Sequence, residues 1–168
     1  MKADLFWIPG PWGGRLAIAS RPRGGDWLDD EASAWRQADV DVVVSLLEND
    51  EAAQLGLLHE RQVAEDHAIN FISFPIPDRG VPASMQEAVS LIARIGAQLD
   101  AGKNVAIHCR QGIGRSGLIA AGVLMTSGAS PEEAMQIVSS ARGISVPETL
   151  AQRQWTEQLL SALPVPKS

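Results

Sequence analysis

The side chains best suited to covalent chemistry lie in one short segment of this sequence. Cys109, the only cysteine, belongs to residues 108–117, which read His-Cys-Arg-Gln-Gly-Ile-Gly-Arg-Ser-Gly between two apolar runs. A thiol placed where a loop enters a helix N-terminus lies near unpaired backbone N–H groups, whose partial positive charge stabilises the thiolate. We therefore expect Cys109 to act as a nucleophile.

The rest of the segment has the residue types of an anion site. Gly112 and Gly114 permit the backbone conformations in which successive N–H groups point at one anion. The planar guanidinium of Arg115 can hold two oxygens of a phosphate. Ser116 is expected either to donate its hydroxyl hydrogen to the Cys109 sulfur or to cap the following helix. The segment thus predicts a phosphate site with the thiolate beneath the phosphorus.

A second candidate residue, Asp78, lies in a loop at residues 75–84 that contains three prolines and a glycine. An alkoxide or phenoxide leaves phosphorus more readily when a carboxylic acid gives it a proton. A loop bracketed in this way suits a hinge that closes over a ligand. We expect Asp78 to be that acid; the alternative is a turn residue after Pro77.

The elements around these loops alternate between strands and helices. Apolar runs predict strands over 16–19, 42–47, 71–74 and 105–107, and helical patterns cover about 27–38, 60–68, 85–101, 118–125, 131 onwards and 149–163. Capping boxes begin two helices, at Ser84 and Ser130. The pattern predicts a three-layer α/β domain over residues 1–168, with a central, mostly parallel sheet flanked by helices. Ligands then bind at the carboxyl ends of the strands.

Charge and composition exclude several classes of partner. The 168 residues carry a formal net charge of -6, which disfavours nucleic-acid binding. A single cysteine forms no intrachain disulfide and fits a reducing compartment. Prolines and glycines interrupt residues 1–18, so we expect no signal peptide or membrane span. The sequence predicts a cytoplasmic protein without nucleic-acid or membrane partners.

Two motifs carry a resemblance to a known family. The pattern His108-Cys109-x-x-Gly112-x-x-Arg115-Ser116 resembles the signature of the cysteine-dependent protein tyrosine and dual-specificity phosphatases. The loop around Asp78 resembles the mobile general-acid loop of the same superfamily. The likeness runs roughly from residue 16 to 160. It is nearest to small dual-specificity phosphatases of the cyclin-dependent kinase inhibitor 3 type.

The resemblance implies the phosphatase fold and hydrolysis of phosphotyrosine, and also of phosphoserine or phosphothreonine, in a protein or peptide. It implies a phosphocysteine intermediate without metal or organic cofactor, and a loop that binds phosphate, sulfate or vanadate. Ile76 replaces the tryptophan of the tyrosine-specific acid loop, which favours the dual-specificity branch. The residues that would surround the anion are Arg110, Gln111, Gly112, Ile113, Gly114 and Arg115. We expect His108 to be a buried ring that supports the thiolate and transfers no proton.

Several alternatives stay open. Gln152 matches one glutamine of the family's water-positioning loop, but Glu148 replaces the other, so either residue is a candidate for that role. Arg79 and Arg110 are either solvated rim charges or substrate contacts. The substrate could instead be a phosphoinositide or another non-protein phosphomonoester, and the chain could be an inactive phosphate-binding adaptor. A dinucleotide site at the glycine-rich segment is disfavoured because no second strand with a ribose-binding acid follows.

Overall fold

The structure is a computed structural model that describes residues 2–111, 113–147 and 149–164. Within them, one sheet has the strand order β1-β2-β5-β3-β4. Its strands are β1 Leu5–Ile8, β2 Leu16–Ala19, β3 Val42–Ser45, β4 Asn70–Ser73 and β5 Val105–His108. Only β1 is antiparallel to its neighbour. The predicted mostly parallel sheet is confirmed.

The central strands are apolar because both of their faces are covered. All residues of β2, β3 and β5 are buried, as expected for parallel strands between two helical layers. β5 lies between β2 and β3, with Val105 opposite both Leu16 and Val42. The same register sets Ser45 opposite His108 at the carboxyl ends. The nucleophile loop therefore leaves the sheet at its centre.

Seven α-helices lie within the described residues. They are α1 Leu28–Gln37, α2 Asn49–Gln54, α3 Glu60–Asp66, α4 Met85–Asp100, α5 Gly114–Thr126, α6 Pro131–Arg142 and α7 Leu150–Ala162. Both predicted serine N-caps are present: the Ser84 and Ser130 hydroxyls each accept a hydrogen bond from the backbone N–H three residues later, both at 3.1 Å. The reciprocal bond of a capping box forms at Ser130, whose N–H donates to Oε1 of Glu133 at 3.3 Å, but not at Ser84, so the prediction of a full box there is wrong. None of these helices is long and apolar enough to cross a membrane.

Two apolar layers cover the sheet. On one face, α4 to α7 pack together around α5, whose described side chains are almost all buried. A Cβ at Gly122 of α5 would lie 2.5 Å from Cδ1 of Ile92, so a larger residue there would require the Ile92 side chain of α4 to move. On the other face, Trp35 of α1 packs with Val43 and Ala106. This is the predicted three-layer arrangement.

Some predicted boundaries are wrong, and two elements were not predicted. β3 ends at Ser45, before the buried Leu46 and Leu47. The predicted helix 118–125 begins earlier, at Gly114, because packing outweighs the low helix propensity of glycine. Ile113 is its N-cap, so the prediction of Ser116 as a cap is wrong. Strand β1 is as long as the other strands of the sheet, but its first three residues are only partly buried. Helix α2, with six residues, is too short to show a helical period.

Candidate active site

Three loops meet at the carboxyl ends of the parallel strands. Cys109 follows β5, and the loops after β3 and β4 lie beside it. Backbone hydrogen bonds continue past the strand ends: the Leu46 N–H donates to the His108 carbonyl, and the Ile76 N–H donates to the Leu46 carbonyl, each at 3.0 Å. The acid loop is thereby tied to the nucleophile loop through the loop after β3.

The loops after β4 and β5 and the first turn of α5 line a small cavity of about 50 Å³. Its lining residues are Asp78, Arg79, Cys109, Gln111, Gly114 and Arg115. Cys109 is 3% exposed. The fold thus brings together the predicted nucleophile, acid and guanidinium, which are separated by up to 37 positions in the sequence.

Arg115 is held in place by a buried carboxylate that the sequence did not reveal. Its Nη1 donates to Oε1 of Glu51 at 2.7 Å and to the Ile76 carbonyl at 2.9 Å. Its Nη2 donates to Oε2 of Glu51 at 3.0 Å and to Oδ1 of Asp78 at 3.2 Å. A bidentate carboxylate, which accepts one hydrogen bond from each Nη atom, fixes the plane of a guanidinium. Arg115, which is 1% exposed, is therefore oriented before any ligand binds.

Arg115 and Glu51 are both charged. Burial lowers the pKa of Arg115, but the hydrogen bond to Glu51 and the charges of Cys109, Glu51 and Asp78 raise it by more, so the pKa lies above its ordinary value. Burial raises the pKa of Glu51, but the hydrogen bonds from Arg115 and the Glu48 backbone, together with the charges of Arg115 and Arg110, lower it by more. Glu51 is therefore a carboxylate at neutral pH.

Asp78 lies in a tight turn as well as in the cavity. The Gly80 N–H donates to the Pro77 carbonyl at 2.8 Å, and Arg79 adopts a left-handed φ of 61°. The Asp78 side chain is 55% exposed while it pairs with Arg115. The two interpretations of Asp78 are therefore compatible, since the turn presents the carboxylate to the guanidinium.

Gln152 contacts the acid loop from α7. It is fully buried, and its Nε2 donates to the Gly80 carbonyl at 3.2 Å. The hydroxyl of Thr149 caps α7 by accepting from the Gln152 N–H at 3.1 Å. Glu148, the other candidate for positioning water, and Gly112 of the anion loop lie outside the described residues.

Ser116 lies in the first turn of α5, completely buried. Its Oγ has no hydrogen-bond partner among the residues that the structure describes. Leaving a buried hydroxyl without a partner costs free energy. This hydroxyl is therefore available as a donor behind the loop that it follows.

The remaining predicted residues form the rim and the back of the loop. Nη1 of Arg110 lies 4.0 Å from Glu51, and its side chain is 39% exposed. The Gln111 carbonyl accepts from Nη2 of Arg142 at 3.3 Å, a contact that was not predicted. His108 is fully buried behind the loop.

The comparisons with known proteins identify the family. A family model described as "Tc-R-P: Polymorphic toxin system, DSP-PTPase phosphatase" matches residues 17–129. The chain belongs to this DSP-PTPase family. It is also 30% identical over 104 residues to "Putative tyrosine phosphatase 067L" of Invertebrate iridescent virus 3, a match over 57% of the chain and 43% of that protein. The chain thus spans less than half the length of that curated relative.

Solved structures agree with this DSP-PTPase assignment. Tk-PTP in its active form is 30% identical, with a TM-score of 0.77 over 95% of this chain and 98% of that one. The kinase-associated phosphatase KAP has a TM-score of 0.87 over 97% of both chains at 16% identity, which shows a shared fold. The resemblance inferred from the two motifs and the predicted phosphatase fold are confirmed.

No group of three His, Cys, Asp or Glu side chains that could hold a metal ion occurs in the described part of this DSP-PTPase. That the reaction uses no metal and no organic cofactor stays a prediction.

Proposed function

We propose that this DSP-PTPase hydrolyses phosphate monoesters, with phosphotyrosine in proteins as the main substrate and phosphoserine or phosphothreonine as further ones. The observation that carries the proposal is the shared cavity of Cys109, Arg115 and Asp78. A nucleophile, a fixed cation and an acid within one small cavity are the three groups that transfer of a phosphoryl group to sulfur requires.

In the first step, the Cys109 thiolate attacks phosphorus and forms an S–P bond while the ester P–O bond breaks. Asp78 in its acid form gives its proton to the departing oxygen, which leaves as an alcohol or phenol. Arg115 and the loop N–H groups hold the equatorial oxygens, on which the negative charge is spread. The product is a phospho-Cys109 enzyme.

In the second step, a water molecule attacks the phosphorus and the S–P bond breaks. The Asp78 carboxylate takes a proton from that water, so the acid is regenerated. The electron pair returns to the sulfur as a thiolate, which a hydrogen bond from Ser116 would stabilise. Inorganic phosphate leaves. Of the two candidates for positioning the water, Gln152 is the one that lies within the described residues.

When substrate binds, we expect its phosphate to replace Asp78 as the acceptor of one hydrogen bond from Arg115. The 3.2 Å bond of Asp78 uses a guanidinium hydrogen that faces the cavity residues. A bound phosphate would take that hydrogen bond, and the freed carboxyl group would turn to the leaving oxygen. Glu51 keeps its two bonds throughout, so the guanidinium does not need to reorient.

A second substrate class is favoured by one observation. The structural neighbour PTPMT1, which is 19% identical with a TM-score of 0.67 over 88% of this chain and 90% of that one, was solved in complex with PI(5)P. Arg79 lines the cavity, and Arg110 follows Cys109 in the chain with a side chain that is 39% exposed; both could pair with additional phosphates. The phosphoinositide alternative therefore belongs in the same assay.

The test is hydrolysis of p-nitrophenyl phosphate in EDTA by the wild type and by Cys109→Ser, followed by phosphotyrosine, phosphoserine and phosphoinositide substrates. We expect metal-independent turnover that disappears in the variant, with the highest kcat/KM for phosphotyrosine peptides. Higher kcat/KM for a phosphoinositide would select the second class. Phosphate binding without any turnover would refute the proposal in favour of an inactive adaptor.

A further inference from the structure

A second buried carboxylate holds His108, the histidine that precedes the nucleophile. Nε2 of His108 lies 2.6 Å from Oε2 of Glu60, the first residue of α3, and the two side chains are 0% and 3% exposed. The surrounding layer is apolar: the Trp35 ring stacks on the imidazole with centroids 6.1 Å apart, and Val43 and Ala106 lie in the same cluster. The proposed reaction gives this carboxylate no role.

Stability alone is a poor reason for such a pair. Removing two polar groups from water costs free energy that their attraction often fails to recover, and apolar replacements are frequently as stable. A buried carboxylate on an imidazole does, however, fix the tautomer and orientation of the ring. The contact made by the other ring nitrogen of His108, Nδ1, therefore indicates the role of Glu60.

Nδ1 of His108 lies 3.3 Å from the carbonyl oxygen of Cys109. A carbonyl oxygen only accepts hydrogen bonds, so this contact requires a proton on Nδ1. Nε2 and Glu60 then share one further proton, held either by an imidazolium facing a carboxylate or by a carboxyl group facing a neutral imidazole. In both forms the pair is neutral overall and Nδ1 is a donor.

Without Glu60, a neutral imidazole could place its single proton on Nε2 and turn a lone pair towards the Cys109 carbonyl. That carbonyl belongs to the first peptide of the anion loop. In a trans peptide the C=O and the next N–H point in opposite directions. Holding the carbonyl on the His108 side thus directs the Arg110 N–H to the other side.

We propose that Glu60 is a positioning residue that acts through His108. By keeping a proton on Nδ1, it anchors the Cys109 carbonyl and so sets the orientation of the thiolate and of the first N–H group of the anion loop. This role rests on the proposed function, because it matters only if Cys109 attacks phosphorus. The arrangement of protons that it requires can be measured without any turnover.

The first experiment reads the proton directly by ¹⁵N NMR of the imidazole nitrogens. The chain has three histidines, and His59→Gln with His67→Gln leaves only His108; His59 is exposed and His67 pairs with the exposed Asp29. We expect Nδ1 of His108 to carry a proton. A neutral ring with its proton on Nε2 would overturn the proposal, whether or not the protein hydrolyses phosphate esters.

The second experiment compares Glu60→Gln with Glu60→Met. The amide of Gln can donate to Nε2 and keep the proton on Nδ1, whereas Met fills the volume without a hydrogen bond. We expect Gln to retain most of the kcat and Met to lose up to about 100-fold, as a misplaced reacting group does, with a much smaller change in KM. Ile69→Val, which removes a methylene from the same layer, controls for loosened packing.

The variants are interpreted together with the NMR spectrum and the melting temperature. The proposal requires that proteins with a proton on Nδ1 keep a high kcat and that proteins without it lose kcat, when the wild type and the Gln and Met variants are compared. The melting temperatures show whether all three are folded at the temperature of the assay. A folded Met variant with wild-type kcat would refute it. If Met does not fold, a Gln variant that loses the Nδ1 proton yet keeps its kcat would refute it equally.

Discussion

The pair of Glu51 and Arg115 gives the sharpest energetic prediction. Glu51→Gln keeps the size and one carbonyl oxygen of the side chain but replaces one carboxylate oxygen by an NH₂ group. The carboxylate now accepts bonds of 2.7 and 3.0 Å from the two Nη atoms. In the variant, the NH₂ group would face an N–H donor, so one charge-assisted bond is lost and the guanidinium stays buried with less compensation.

The size of the effect follows from that loss. A hydrogen bond to a charged group contributes about 1.5–3 kcal/mol. The Glu51 side chain is 9% exposed, so little of that value is lost to solvent screening. For a chain of this length, a loss of about 2 kcal/mol lowers the melting temperature by roughly 4–8 °C. We also expect a lower kcat, because Arg115 is no longer held in one plane.

The effect depends on pH in a defined direction. The pKa of Glu51 is lower in the folded protein than its ordinary value of 4.5. At a pH between these two pKa values, the unfolded chain therefore binds more protons than the folded protein. The contribution of Glu51 to stability is therefore complete above pH 4.5 and is lost as the pH falls through the lowered pKa. The difference in melting temperature between wild type and variant should shrink below pH 4.5.

The assay is thermal unfolding followed by circular dichroism between pH 7 and pH 3.5 at constant ionic strength, with kcat measured at pH 7. Asp50→Asn is the matched control, because it removes a neighbouring charge from an exposed side chain, and the Oδ1 of Asn can still accept the 3.0 Å hydrogen bond that the Glu51 N–H donates to Asp50. Surface changes that keep their contacts usually stay within about 0.5 kcal/mol. A Glu51→Gln protein as stable as the wild type at pH 7, or a difference that does not change with pH, would refute the reasoning.

Two further predictions concern the reaction steps. Asp78→Ala should lower kcat by about 100-fold, and by less with better leaving groups; vanadate should bind no more weakly, since a half-exposed ion pair of at most about 1 kcal/mol is removed from Arg115. An equal loss for every leaving group would contradict the acid role. Ser116→Ala should slow hydrolysis of phospho-Cys109, so stopped-flow mixing with p-nitrophenyl phosphate should give a burst of nitrophenol before a slower steady state. An unchanged steady-state rate without a burst would count against the hydroxyl.

The groups that do the chemistry could be predicted from sequence because they are local to two loops. The spacing from Cys109 to Arg115 and the position of Asp78 in a proline-rich loop need no tertiary information. The apolar strands before these loops also predict where they lie, because parallel strands present their carboxyl ends at one edge.

The groups that hold the chemistry in place could not be predicted in the same way. Glu51 lies in an acidic run in a six-residue helix, and such a run usually indicates a solvated surface. Glu60 begins a short helix next to the exposed His59, and its partner is 48 residues away. Burial of each carboxylate is decided by a cation or imidazole that only the fold brings near.

The start of α5 is a case in which local preference and packing disagree. Gly114 and Gly117 both lower the intrinsic helix propensity of the first turn. A Cβ at Gly117 would lie 3.3 Å from Cγ1 of Val146, so the turn packs closely against that side chain, and any larger residue would require Val146 to shift. Because the helix begins there, Arg115 and Ser116 lie on a rigid element and not in the loop.

Formation of a covalent phosphoenzyme on Cys109 is the central claim. It can be measured by rapid acid quench of the wild type and Ser116→Ala during turnover of p-nitrophenyl phosphate, followed by mass spectrometry of the peptide that contains Cys109. We predict one phosphate on that peptide, in a larger fraction for Ser116→Ala, and none for Cys109→Ser. Turnover by Cys109→Ser, or wild-type turnover with the peptide unmodified throughout, would contradict the account.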